Sequence, residues 1–108
     1  MNRGELWAVA GGTYASKPRP VLILQEDLFD ATESVTVVPL TTAVVDAPLI
    51  RIPVPATRTT GIDRPSFAMV DKITTVRRSN VGARIGRLPT SLLVDIERAA
   101  LLFLGLAR

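Results

Sequence analysis

The chain has 108 residues, 47% of them hydrophobic and 21% charged, which suits one folded domain spanning residues 1–108. It contains no cysteine and no histidine, so disulfides, thiolate nucleophiles, histidine metal sites and Ser-His-Asp catalysis are all excluded. The net charge of +3 is unevenly spread: residues 1–46 carry three cations against six acids, and residues 47–91 carry eight cations against two.

In chain order, the first predicted strand is Gly4–Ala10, closed by Gly11-Gly12. A loop of Thr13–Pro18 leads to a second strand at Val21–Gln25. Its apolar run, Val21–Leu24, reads as buried on both faces, with Arg19 at its mouth. A guanidinium there calls for an anion, because an unpaired desolvated charge is strongly disfavoured. Two readings stay open, an ion pair with Glu26, Asp27 or Asp30 and an anion-binding site. Glu26–Ser34 is an acidic connection with room for a helical turn.

Val35–Thr42 is the third predicted strand, ending in the hydroxyl pair Thr41-Thr42. Pro39 removes a ladder donor within it, which predicts an edge or a bulge that re-aims both threonines. Leu49–Val54 alternates as a fourth strand, and Ala56–Pro65 is a polar loop. Phe67–Val76 reads as one long strand, ended by Arg77 and Arg78, and Arg84–Leu88 as a short one. From Leu92 the residues Leu92, Leu93, Ile96, Ala99, Ala100, Phe103 and Leu104 recur at helical spacing, and Gly105 is a natural stop. Pro89 occupies the expected cap position. The fold class is mainly β with α, a curled antiparallel sheet closed by one terminal helix.

The longest uncharged stretch, Ser34–Val45, has twelve residues and a proline, too short to cross a bilayer. No signal-peptide core is present, so a cytoplasmic protein without membrane association is expected. No metal or cofactor is expected. The arginine-rich middle suits a polyanion, because the planar guanidinium matches phosphate.

Arg3-Gly4-Glu5-Leu6-Trp7, Arg19-Pro20-Val21-Leu22-Ile23 and Val37-Val38-Pro39-Leu40-Thr41 resemble the MazF/PemK toxins. So do Ser66, Val70-Asp71-Lys72-Ile73-Thr74-Thr75-Val76, Ile85-Gly86-Arg87-Leu88 and Leu104-Gly105-Leu106, in the same order over nearly the whole chain. The resemblance implies an SH3-like barrel and a homodimer. It implies a sequence-specific endoribonuclease toxin that cuts single-stranded RNA without a metal, leaving a 2′,3′-cyclic phosphate. It also implies a cognate antitoxin with an acidic, MazE-like segment. The family's catalytic arginine and threonine fall on Arg19 and Thr41. Two departures stand out: the loop before Arg19 lacks the relatives' glutamate, and Lys72 stands where relatives often carry glutamine.

For RNA binding the candidates are Tyr14, as a stacking platform, and Lys17, Thr42, Lys72, Arg77 and Arg78. Blander roles stand beside these: strand propensity for Thr41, a solvated loop for Lys17, a solvated strand end for Arg77 and Arg78. Val94, Leu101, Leu102 and Trp7 exceed what a small barrel needs for its core, which predicts a two-fold interface. A gyrase poison like CcdB shares the fold, but this tail lacks the terminal tryptophan such activity uses. A catalytically inactive RNA- or antitoxin-binding module is the other alternative.

Overall fold

A computed structural model describes residues 1–11 and 15–107; the side chains of Ala15 and Ser16 are not included in the description. Among these residues seven strands and one α-helix follow in order: β1 (Glu5–Gly11), β2 (Ala15–Ile23), β3 (Ser34–Thr41), β4 (Arg51–Val54), β5 (Ser66–Met69), β6 (Thr74–Arg77), β7 (Val81–Arg87) and α1 (Thr90–Phe103). All pairings are antiparallel, in the order β4-β5-β3-β2-β1-β7, with β6 paired to β3. The sheet curls as expected, although its ends do not close into a complete barrel.

Alternation along β1, β2 and β3 fills both faces. Leu6, Leu22, Val38 and Leu40 join Ile96, Ala99 and Ala100 of α1 in the larger apolar cluster. Val9, Val21, Ile23, Val35, Val37 and Val76 form a second cluster on the opposite face, with Trp7 packed against it. The expectation that Val21–Leu24 starts as a doubly buried run holds for Val21, Leu22 and Ile23. Trp7 is thereby largely occupied within the chain, and its indole N–H donates to Glu5.

Several expected boundaries move. The strand carrying Arg19 begins at Ala15, so the predicted Thr13–Pro18 loop is mostly strand. Pro39 makes neither an edge nor a bulge. It lies where β3 changes neighbour, because Ser34–Val37 pair with β6 and Leu40–Thr41 pair with β5. A residue without an N–H is tolerated in that gap. The predicted Phe67–Val76 strand is cut by a 3-10 turn at Val70–Lys72, and β7 starts earlier than expected, at Val81.

The helix ends in a Schellman motif, with Gly105 at positive φ, Gly105 N–H donating to Leu102 O and Leu106 N–H to Leu101 O. Phe103 and Leu104, expected in the buried stripe, are instead exposed together with Leu101, Leu102 and Leu106. The last turn of α1 overhangs the sheet, so helical periodicity alone overstated how much of the stripe has a surface to cover. Among the described residues, no helix is long and apolar enough to cross a membrane.

The N-terminal Arg3 ties three parts of the chain together. Its backbone N–H donates to Asp27, its Nε to Leu24 O, and its Nη2 pairs with Glu97 of α1 at 2.6 Å. Glu5 sits between β1 and β7, where burial opposes its ionised form. Hydrogen bonds from Arg84 at 2.7 Å, the Asn2 N–H and Trp7 outweigh that cost and hold its carboxyl at about 2 rather than the ordinary 4.5. A depressed carboxyl stabilises the fold above its unfolded-state value and loses that contribution as pH falls through the folded one. Glu5→Gln is therefore expected to lower stability at neutral pH and to flatten the acid limb between about pH 4.5 and 2. Thermal melts of both proteins across that range check this; parallel curves would remove Glu5 from acid unfolding.

Candidate active site

Arg19 and Thr41 reach one cavity from two strands. Continuing the β2–β3 register two residues beyond Val21↔Pro39 sets Arg19 opposite Thr41. Leu24 N–H donates to Thr36 O across these strands. Since successive N–H groups point to alternate sides, residues 22 and 20 of β2 should also donate toward β3. Residue 20 is proline and has no donor. The ladder accordingly ends at Val21↔Pro39, and the end of β3 pairs with β5 instead, Leu40 with Ala68 and Thr41 with Phe67. The Pro20 beside Arg19 thus stops strand pairing where Arg19 and Thr41 stand opposite each other.

A cavity of about 300 Å³ opens there, lined by Arg19, Pro39, Leu40, Thr41, Met69, Lys72 and Thr74. Lys72 arrives only because the 3-10 turn interrupts the predicted long strand. Its neighbour Asp71 is engaged elsewhere, accepting from Arg51 Nε at 2.9 Å and Nη2 at 3.2 Å. These bonds, partly offset by burial, and the nearby Arg51 charge hold the Asp71 carboxyl below the usual range. None of the residues lining this cavity is acidic; its polar groups are two cations and two hydroxyls.

Arg19 is exposed rather than desolvated. Among the described residues it makes no ion pair, so the pairing with Glu26, Asp27 or Asp30 does not form. Asp27 is used by the Arg3 N–H and Glu26 by its own turn. The Thr41 hydroxyl accepts the Ala43 N–H at 3.1 Å, which fixes its oxygen and leaves its proton to donate outward.

The remaining candidates separate. Lys17 is exposed on β2, two residues before Arg19. Thr42 lies on the other side, in a second cavity of about 390 Å³ shared with Pro20, Gly61, Ile62, Asp63, Arg64, Ser66 and Ile85. Arg77 pairs with Ser34 at the far end of β3, seven residues from Thr41, or about 23 Å along the strand. Arg78 binds the acidic connection, donating from Nε to Thr32 O at 2.7 Å and from Nη2 to Thr32 Oγ1 at 3.2 Å. Neither arginine joins the Arg19 cavity. Tyr14 lies outside the described residues. Reading the residues singly missed Met69 and Thr74, which flank the 3-10 turn that carries Lys72, and the second cavity, whose walls are far apart in sequence.

Residues 2–104 match a family model described as PemK-like, MazF-like toxin of type II toxin–antitoxin system. The chain is 54% identical to the probable endoribonuclease MazF of Mycolicibacterium smegmatis over 108 residues, covering 99% of each. It is 33% identical to endoribonuclease MazF6 of Mycobacterium tuberculosis, covering 91% of each. The solved structure of Mycobacterium tuberculosis toxin MazF-mt6 superposes with a TM-score of 0.80 at 28% identity, covering 96% of this chain and 99% of that one. The curled sheet, the terminal helix and these likenesses along the whole length agree, and the chain belongs to the PemK-like, MazF-like toxins of type II toxin–antitoxin systems.

Proposed function

We propose that this toxin is a metal-independent endoribonuclease that cuts single-stranded RNA in the cavity holding Arg19, Thr41 and Lys72. The observation that supports this reading is the meeting of an unpaired guanidinium and an oriented hydroxyl where Pro20 ends the β2–β3 ladder. In such a reaction the 2′-hydroxyl of the RNA gives its proton to solvent as its oxygen attacks the adjacent phosphorus, and the bond to the 5′-oxygen of the next nucleotide breaks as that oxygen takes up a proton. The products are a 2′,3′-cyclic phosphate and a 5′-hydroxyl end.

Charge accumulates on the phosphorane oxygens, and Arg19 meets it with the parallel N–H donors of its planar guanidinium. Thr41, with its oxygen anchored by Ala43 N–H, donates to the phosphate or positions the 2′-hydroxyl. Lys72 adds a second positive charge and carries protons that can be passed to the departing oxygen. This arrangement works without the loop glutamate of the relatives, since charge stabilisation supplies most of the rate.

Lys17 extends the contact along the strand of RNA, Tyr14 stays the stacking candidate, and Arg77 and Arg78 are left for phosphates several nucleotides away. Two copies of the chain, joined through surfaces that include the exposed Leu101 and Leu102, present two such sites. A cytoplasmic antitoxin with an acidic segment silences them by covering the same basic face.

Incubating the protein with single-stranded RNA in EDTA should yield 2′,3′-cyclic phosphate ends; 5′-phosphate ends or full inhibition by EDTA would overturn this chemistry. Thr41→Val keeps the side-chain shape and removes the hydroxyl. It should cut slower by roughly tenfold to a thousandfold, as for other positioned donors. Unchanged single-turnover rates would retire the hydroxyl.

A further inference from the structure

Lys72 reaches the Arg19 cavity without a tie of its own. It is exposed and makes no ion pair among the described residues. The turn that carries it, Val70–Lys72, is a short 3-10 turn with little hydrogen bonding of its own. The bond that closes it, from Ile73 N–H to Val70 O, is long at 3.5 Å, and its N-terminal end has no side-chain cap. Where Lys72 stands therefore depends on what the two residues before it are fastened to.

Both are fastened to the start of β4. The buried Val70 donates its N–H to Ile50 O at 2.9 Å. Asp71 is gripped by the next residue, Arg51, whose Nε and Nη2 donate to its two carboxylate oxygens at 2.9 and 3.2 Å. Arg51 is itself well anchored. Its backbone N–H donates to Ala47 O at 2.8 Å, it pairs with Met69 across β4 and β5, and its side chain is only 11% exposed. Two parallel bonds to one carboxylate fix its plane as well as its distance, which a point charge does not. Single exposed ion pairs contribute little, but this one is two-pronged, mostly covered and one residue from a cavity cation.

Arg51 does not line the cavity. We propose that Arg51 is a positioning residue, whose fork on Asp71 sets the turn so that Lys72 stands in the cavity with Arg19 and Thr41. The inference rests on the endoribonuclease reading above and extends it to a residue on the edge strand β4. Without the fork Val70 keeps its place in the core, while Asp71 and Lys72 swing toward solvent and the site loses its second cation.

The test is a double-mutant cycle on the full chain, read as the single-turnover rate at saturating single-stranded RNA. Arg51→Met removes the fork and keeps an apolar stem. Asp71→Asn removes it from the other side without changing shape, and carries the test if Arg51→Met folds poorly. Each should slow cleavage roughly tenfold to a hundredfold, the cost of a misplaced group, and Lys72→Met should slow it at least as much. In the Lys72→Met background either change should cost less than about twofold, because the group it places is already gone. A merely structural role would slow Lys72→Met by the same factor as wild type. That full additivity would overturn the inference, and so would a wild-type rate in Lys72→Met or in both fork variants. If wild-type protein cuts no RNA, the endoribonuclease reading fails instead.

Discussion

Arg19→Ala is expected to reduce RNA cleavage by about a thousandfold or more, at the upper end for removing preorganised donors from developing charge. The expectation follows from the position of Arg19. It is the one cationic side chain that β2 contributes to the cavity, directly across from Thr41, and it has no ion pair among the described residues to share its donors. For the same reason its loss should not disturb the fold. An exposed arginine without a partner leaves no unsatisfied group behind, so the melting temperature should match wild type. Arg19→Lys keeps the charge but not the planar fork, and should recover little of the lost rate. Single-turnover assays on a defined oligonucleotide, with the ends mapped, decide this. Wild-type rates in Arg19→Ala would move the catalytic role elsewhere in the cavity, with Lys72 next in line.

Gly61→Ala should be strongly damaging for the addition of one methyl group. Gly61 adopts φ +69, where a side chain is strained, and a Cβ there would collide with the carbonyl oxygen of Ile85 in β7. Neither obstacle can be relieved by a rotamer change, because both are backbone. The adjoining turn is also closed by Thr57 and Thr60: the Thr57 hydroxyl donates to Thr60 Oγ1, and the Thr60 hydroxyl donates to Pro55 O at 2.7 Å. Strain of this kind is expected to cost about 3 kcal/mol. In a chain this short that lowers the melting temperature by roughly 10–20 °C. Calorimetry on the two proteins measures it. A melting temperature within a degree of wild type would mean that this loop is not seated on β7.

Much of the fold was legible because its determinants are local. Alternation along residues 35–41, the apolar run after Arg19 and the helical spacing after Leu92 each depend on a few neighbouring residues, and each element formed close to its expected place. Gly105 ended the helix as its position predicted, through a motif that needs positive φ. The pair proposed as catalytic was legible only through the family resemblance, since an arginine before a strand and a threonine at the end of another have ordinary structural uses.

Composition alone determined that no histidine or cysteine chemistry operates here, and residue pattern determined a mainly β chain with one terminal helix. Only the tertiary structure decided which strands neighbour which, and the site depends on that choice. No glycine or proline interrupts Phe67–Val76, which reads as one strand, yet β5 and β6 pair with different stretches of β3, so the chain must step between them in a 3-10 turn. That step brings Lys72 to Arg19. Likewise Pro20 and Pro39 read alike as residues without an N–H, and their consequences differ by the side each faces. Pro39 falls in the gap where β3 changes partners and disturbs nothing. Pro20 faces β3, ends its ladder with β2, and opens the cavity in which Arg19 and Thr41 meet.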